Sequence, residues 1–115
     1  MATTLDMGYP QKVNQVSTTT AGGVAIGPLV AITNKASGGA IGTAAATVDI
    51  GSVFQVNQTT ATQTLTLPTP TVTGDMKTIV VTNVGSQTFT MLSKSVTAGS
   101  SLIAIYTGSA WSTTV

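Results

Sequence analysis

The 115-residue chain contains no cysteine, histidine, arginine or glutamate. Without cysteine there is no disulfide, so stability has to come from burial and backbone hydrogen bonding. Lacking both cysteine and histidine, the chain has none of the usual zinc ligands. Acid–base catalysis near neutral pH most often uses histidine, cysteine or a tuned carboxylate. Here the whole carboxylate inventory is Asp6, Asp49 and Asp75, and the cations are Lys12, Lys35, Lys77 and Lys94. No lysine stands in a Ser-x-x-Lys pattern that could activate one of the many serines. The composition therefore predicts no enzyme, no catalytic residue, no metal site and no cofactor.

Charge is scarce as well. Charged residues make up 6% of the chain and the net charge is +1, against about 25% charged residues in an average protein. Four scattered lysines form no basic stripe, which argues against nucleic acid as a partner. A surface so low in charge does little to keep copies apart, and reads as one that expects neighbours. Met1 to Gln11 has no basic start and no apolar run, so no secretory leader is expected. The apolar segment Val24 to Ile32 is broken by Gly27 and Pro28 and falls short of the roughly 20 residues of a membrane span. A soluble chain is expected, and the initial Met fits a complete reading frame.

What the chain does have is threonine, more of it than of any other residue type. Threonine and valine are stiff at χ1 and suit pleated strands. Gly and Pro punctuate the sequence at short intervals, which is the pattern of many short strands. The expectation is an all-β fold, a compact antiparallel sandwich or jelly-roll-like barrel with an extended N-terminal arm. The arm is residues 1–23, where Tyr9-Pro10 holds the backbone extended. A single β domain follows over 24–115. Its strand pattern is clearest over 47–115.

Within that stretch, Thr62 to Leu67 alternates, with Leu65 and Leu67 on one face and Thr64 and Thr66 on the other. Pro68 ends this strand because it cannot donate to a ladder. Lys77 to Asn83 is a strand, and Asn83 to Ser86 is a connection of hairpin length. Thr88 to Leu92 follows, then a turn at Ala98 to Ser100. Leu102 to Tyr106 is nearly all apolar, as a strand covered on both faces would be. The expected core is Phe54, Val56, Leu65, Leu67, Ile79, Val81, Phe89, Met91, Ile103, Ile105 and Trp111.

Other motifs have plain readings. The glycine clusters at 22–27 and 38–42 lack the lysine and following helix of a phosphate-binding loop, so they are expected to be turns. Asn57-Gln58-Thr59 matches a glycosylation acceptor, a frequent accident in a chain this rich in threonine. Asp49 and Asp75 are expected to cap turns. The alternating Thr60, Thr62, Thr64 and Thr66 could present a flat hydroxyl array like the ice-facing surface of some antifreeze proteins. No fixed period extends it, so a solvated or interface face is expected.

The order of the second half resembles a known module. Thr-Leu-Thr-Leu-Pro-Thr-Pro (64–70) is followed by Gly74 and by Thr-Ile-Val-Val-Thr-Asn-Val-Gly-Ser (78–86). Phe-Thr-Met (89–91), Val-Thr-Ala-Gly-Ser-Ser-Leu (96–102) and Tyr-Thr-Gly-Ser-Ala-Trp (106–111) complete it. This succession resembles a β module of tailed-bacteriophage virion proteins, as in capsid decoration (cement) proteins and head- or tail-fibre domains. The resemblance implies a structural virion protein, commonly a homotrimer, on the outer face of the capsid and soluble in the host cytoplasm before assembly. Its partners would be the major capsid protein and copies of itself. A short chain with an arm and no shaft fits a decoration protein that bridges and stabilises coat subunits. The alternative is a receptor- or glycan-binding fibre module. In the decoration reading the arm supplies the partner interface, through Leu5, Met7, Tyr9, Pro10 and Val13.

Overall fold

A computed structural model describes residues 28–114. The arm, with Leu5, Met7, Tyr9, Pro10 and Val13, lies outside the described residues. Nine strands and no helix make up this part of the chain. They are β1 (Leu29–Ile32), β2 (Gly39–Ala40), β3 (Val53–Val56), β4 (Gln63–Thr66) and β5 (Lys77–Asn83), then β6 (Phe89–Met91), β7 (Lys94–Val96), β8 (Ser101–Tyr106) and β9 (Trp111–Thr113). No helix of the described residues is long and apolar enough to cross a membrane.

The strands form two mixed sheets, one in the order β1-β3-β5-β8-β9 and the other β2-β4-β6-β7. From β1 to β6 the chain passes to the other sheet after every strand. Strands that become neighbours this way run in the same direction. Leu29 faces Val53, and Val53 in turn faces Val80. In the second sheet Gly39 faces Leu65 and Gln63 faces Phe89. Each of these partners lies one circuit through both sheets further along the chain. The purely antiparallel arrangement expected from the sequence is therefore corrected, since four of the seven strand pairs are parallel. The short Asn83–Ser86 connection is not a hairpin. It carries the chain from β5 in one sheet to β6 in the other.

True hairpins come only after β6. β6 and β7 pair with Met91 opposite Lys94, leaving Leu92 and Ser93 as a two-residue loop. Both have positive φ, 52° and 63°. This is the handedness that two-residue hairpin turns demand, and Asn-Gly usually supplies it. A Leu-Ser pair gives no such signal, so β7 was invisible in the sequence.

Side chains from both sheets meet in one core. Phe54, Val56, Leu65, Leu67, Ile79, Val81, Phe89 and Met91 are buried there, joined by Ile32, Ile41, Val48, Val96, Leu102 and Ala104. Val30, Ala44, Leu92 and Trp111 pack against it, partly buried. Two of the expected core positions are corrected. Ile103 is 42% exposed and Ile105 is only half-buried. The inward residues of β8 are instead Leu102, Ala104 and Tyr106, because alternation on a strand leaves one parity for each face. β8 lies inside its sheet between β5 and β9, yet among the described residues only one of its faces is covered. Trp111 sits opposite Tyr106 on the edge strand β9. Their ring centroids are 5.2 Å apart with planes at 59°, a tilted geometry aromatic pairs favour. The indole N–H donates to the Pro68 carbonyl at 3.0 Å, which ties β9 to the end of β4.

Candidate interaction surface

The two ends of the strand stack are built from different chemistry. At one end β1, β3, β5 and β9 begin and β8 finishes. Three connecting segments gather there. The Asp49 carboxylate accepts from the Thr71 amide at 2.9 Å and from the Thr71 hydroxyl at 2.5 Å. The Gly74 amide donates to the Gly108 carbonyl at 3.1 Å, and the Lys77 ammonium to the Val48 carbonyl at 3.1 Å. The segments around 44–52, 68–76 and 107–110 are thus fastened to one another. Asp49 does not cap its own turn as expected; it reaches a loop 22 positions on. The Thr71 hydroxyl, then its amide, and to a lesser degree the Lys77 charge hold the Asp49 carboxyl below its ordinary value of 3.8.

The fastened loops carry apolar side chains into solvent. Ile50 next to Asp49 is 57% exposed, Val72 next to Thr71 is 61%, and Met76 is 71%. Single exposed apolar residues need no explanation. Three on adjoining, hydrogen-bonded loops mark a surface suited to contact. The described chain also enters here, since a Cβ built on Gly51 would lie 3.3 Å from the Pro28 carbonyl oxygen.

At the opposite end the polar groups are buried and fully partnered. Gln58 is 0% exposed. Its amide donates to the carbonyls of Lys35 at 3.1 Å and Thr60 at 2.9 Å, and its oxygen accepts from the Lys35 amide at 3.1 Å. Asn83 is likewise 0% exposed. It donates to the Gln87 and Val96 carbonyls at 2.7 and 2.9 Å and accepts from the Gly85 amide at 2.9 Å. The Asn34 side-chain oxygen accepts from the amides of Thr59 and Thr60 at 2.8 and 3.0 Å. No buried side-chain polar atom among the described residues is left without a partner, as a buried polar network must be if it is not to cost stability. This end locks the β1–β2, β3–β4 and β5–β6 crossovers in place.

The alternating threonines do not share one flat face. Thr62 has φ 59° and lies before β4, so only Thr64 and Thr66 share the exposed face of that strand. Thr71 is engaged by Asp49, off any strand. Of the Asn57-Gln58-Thr59 motif, Gln58 is the structural member. The Asp49–Thr71 link left no trace in the sequence because its partners are far apart along the chain. The exposed Val72 and Met76 did leave one, as apolar residues beside the turn formers Pro70, Gly74 and Asp75.

Among the described residues no three acidic side chains cluster as metal ligands, and no pocket opens. No protein-family model, curated protein or solved structure matches the chain.

Proposed function

We propose that this chain is a structural protein of a phage particle, a decoration protein that sits on the outer face of a capsid and bridges coat subunits. The observation that carries the reading is the loop end, where Ile50, Val72 and Met76 stand exposed on loops fastened by Asp49 and Thr71. The likeness of residues 47–115 to virion β modules supports it, as does a surface with 6% charged residues. In its finer form the fold is a sandwich, in which the two mixed sheets close on their common core.

Mechanistically, such a protein cements by adding buried area between neighbouring coat subunits. Covering an apolar side chain that is already partly buried contributes about 1 kcal/mol. Three such residues give a weak contact for one copy. Copies joined to one another repeat the contact, and linked weak contacts bind far more tightly than one alone. The arm, with Leu5, Met7, Tyr9, Pro10 and Val13, adds an extended segment that pairs with the coat as a strand or lies in a groove.

Purified protein added to capsids that lack it should co-sediment with them and raise the temperature at which they open. The paired variant Ile50→Lys, Val72→Lys should lose most of that binding while its own melting temperature stays put. Failure of the unaltered protein to bind or to protect would end the reading. Attachment to host cells or glycans instead would favour a fibre module.

A further inference from the structure

The outer face of the five-stranded sheet carries an apolar row that none of the described strands covers. Alternation sends Val30, Phe54, Val81 and Leu102 inward, and the next parity outward. Register then aligns four outward residues, with Leu29 opposite Val53, Val53 opposite Val80, and Val80 opposite Ile103. Leu29 and Ile103, at the two ends of the row, are 55% and 42% exposed. The flanking positions of the same face carry Ala, Gln, Thr, Ser and Ile, with no charged side chain. Thr82 and Ser101 there share a hydroxyl–hydroxyl bond of 2.7 Å. A sheet face meant for water alternates polar groups outward; this one places aliphatic side chains there on four adjacent strands.

Three features say what covers it. The face is uncharged and the chain's net charge is only +1, so two copies meeting here bring no like-charge repulsion. The row reads Leu, Val, Val, Ile, and its two halves match in size. The Leu29/Val53 half of one copy therefore fits the Val80/Ile103 half of another, as a self-associating surface requires. The five strands hold 24 residues, and at roughly 4.8 Å by 3.3 Å for each the face is on the order of 400 Å². A standard interface uses about 800 Å² per partner. The sheet alone thus supplies about half of a stable contact, enough for association that depends on concentration.

We infer that this face is where copies of the chain meet one another, row against row around a rotation axis. The inference rests on reading the chain as a building block that assembles with its own kind, and it does not need the capsid. It leaves the loop end, with Ile50, Val72 and Met76, free for a different partner.

Sedimentation of the full chain, loaded from about 10 to about 500 µM, tests it. The unaltered protein should run heavier than one chain as concentration rises. Ile103→Lys should weaken association at least about tenfold, because a charge buried in an apolar contact has no partner. Ile103→Val should associate like the parent. Leu29→Lys, on the edge strand β1, repeats the test should Ile103→Lys fail to fold. A protein that stays monomeric throughout, or an oligomer indifferent to both lysine variants, overturns the inference. A chain that associates through this face yet ignores capsids leaves the inference standing and removes the capsid reading. A monomer that binds capsids does the reverse.

Discussion

The two ends of this small β domain use opposite devices. The end holding Gln58 and Asn83 buries its amides completely and answers each donor and acceptor with backbone. The loop end does the reverse: its one hydrogen-bonded carboxylate lies at the surface, and Ile50, Val72 and Met76 face out. The buried polar network is thereby concentrated at the end where β1, β3 and β5 cross to the second sheet. The loop end is left free to carry contacts, because a side chain that holds nothing together inside the fold can be chosen for a partner outside it. If that division is right, substitutions at the first end should cost folding and substitutions at the second should cost binding.

Gly85→Ala should break the comparison's stable half most severely. A Cβ there would overlap the Gln58 backbone, meeting its carbonyl oxygen, amide nitrogen and carbonyl carbon at once. None of these is a flexible side-chain tip, so the crossover itself must move. We expect a loss of about 4 kcal/mol or failure to fold, read by chemical denaturation.

Asn83→Ala comes next. It removes three hydrogen bonds and leaves the Val96 carbonyl without that partner in the interior. A loss of about 3 kcal/mol in the same measurement is expected, since stranded buried polar groups carry their full desolvation cost. A loss below about 1 kcal/mol would mean that the network is not the lock described here.

Ser93→Gly should act in the other direction. Ser93 holds φ 63° in the β6–β7 turn, a region glycine enters freely. Thermal unfolding should show a gain of about 0.5–1 kcal/mol.

The smallest effect should come from Asp49→Asn at the loop end. The Thr71 hydroxyl and amide lower the Asp49 pKa, so the carboxylate is better held in the folded chain than in the unfolded one. Its contribution is complete above the ordinary carboxylate range and disappears as pH falls through the lowered folded value. The variant should melt slightly below the parent at neutral pH. The gap should close on acidification below 3.8, the ordinary value. A gap that widens with acid would contradict the hydrogen-bond assignment.

Much of this was legible in the sequence where the signal was local. β5 spans Lys77–Asn83, the stretch that alternation marked. Pro68 falls just after the strand that carries Leu65, because a missing N–H is a property of one residue. What failed was what depends on neighbours in space. Ile103 reads as core in an apolar run, yet its parity faces outward, away from the core that the two sheets share. The buried roles of Gln58 and Asn83 depend on backbone brought from Lys35 and Val96, which no spacing announces. The loop-end surface was half legible: Val72 and Met76 stand out among turn residues, whereas the Asp49–Thr71 bond that steadies their loop does not.

By itself the sequence determined that this chain would be strands and turns. Residues stiff at χ1, with little else to favour a helix, leave the backbone few other choices. Tertiary structure alone decided that the strands would pair in parallel across two mixed sheets, and which apolar residues would stay outside. Those outcomes depend on which segments become neighbours after each crossover, and strand alternation is the same whichever face finally meets water.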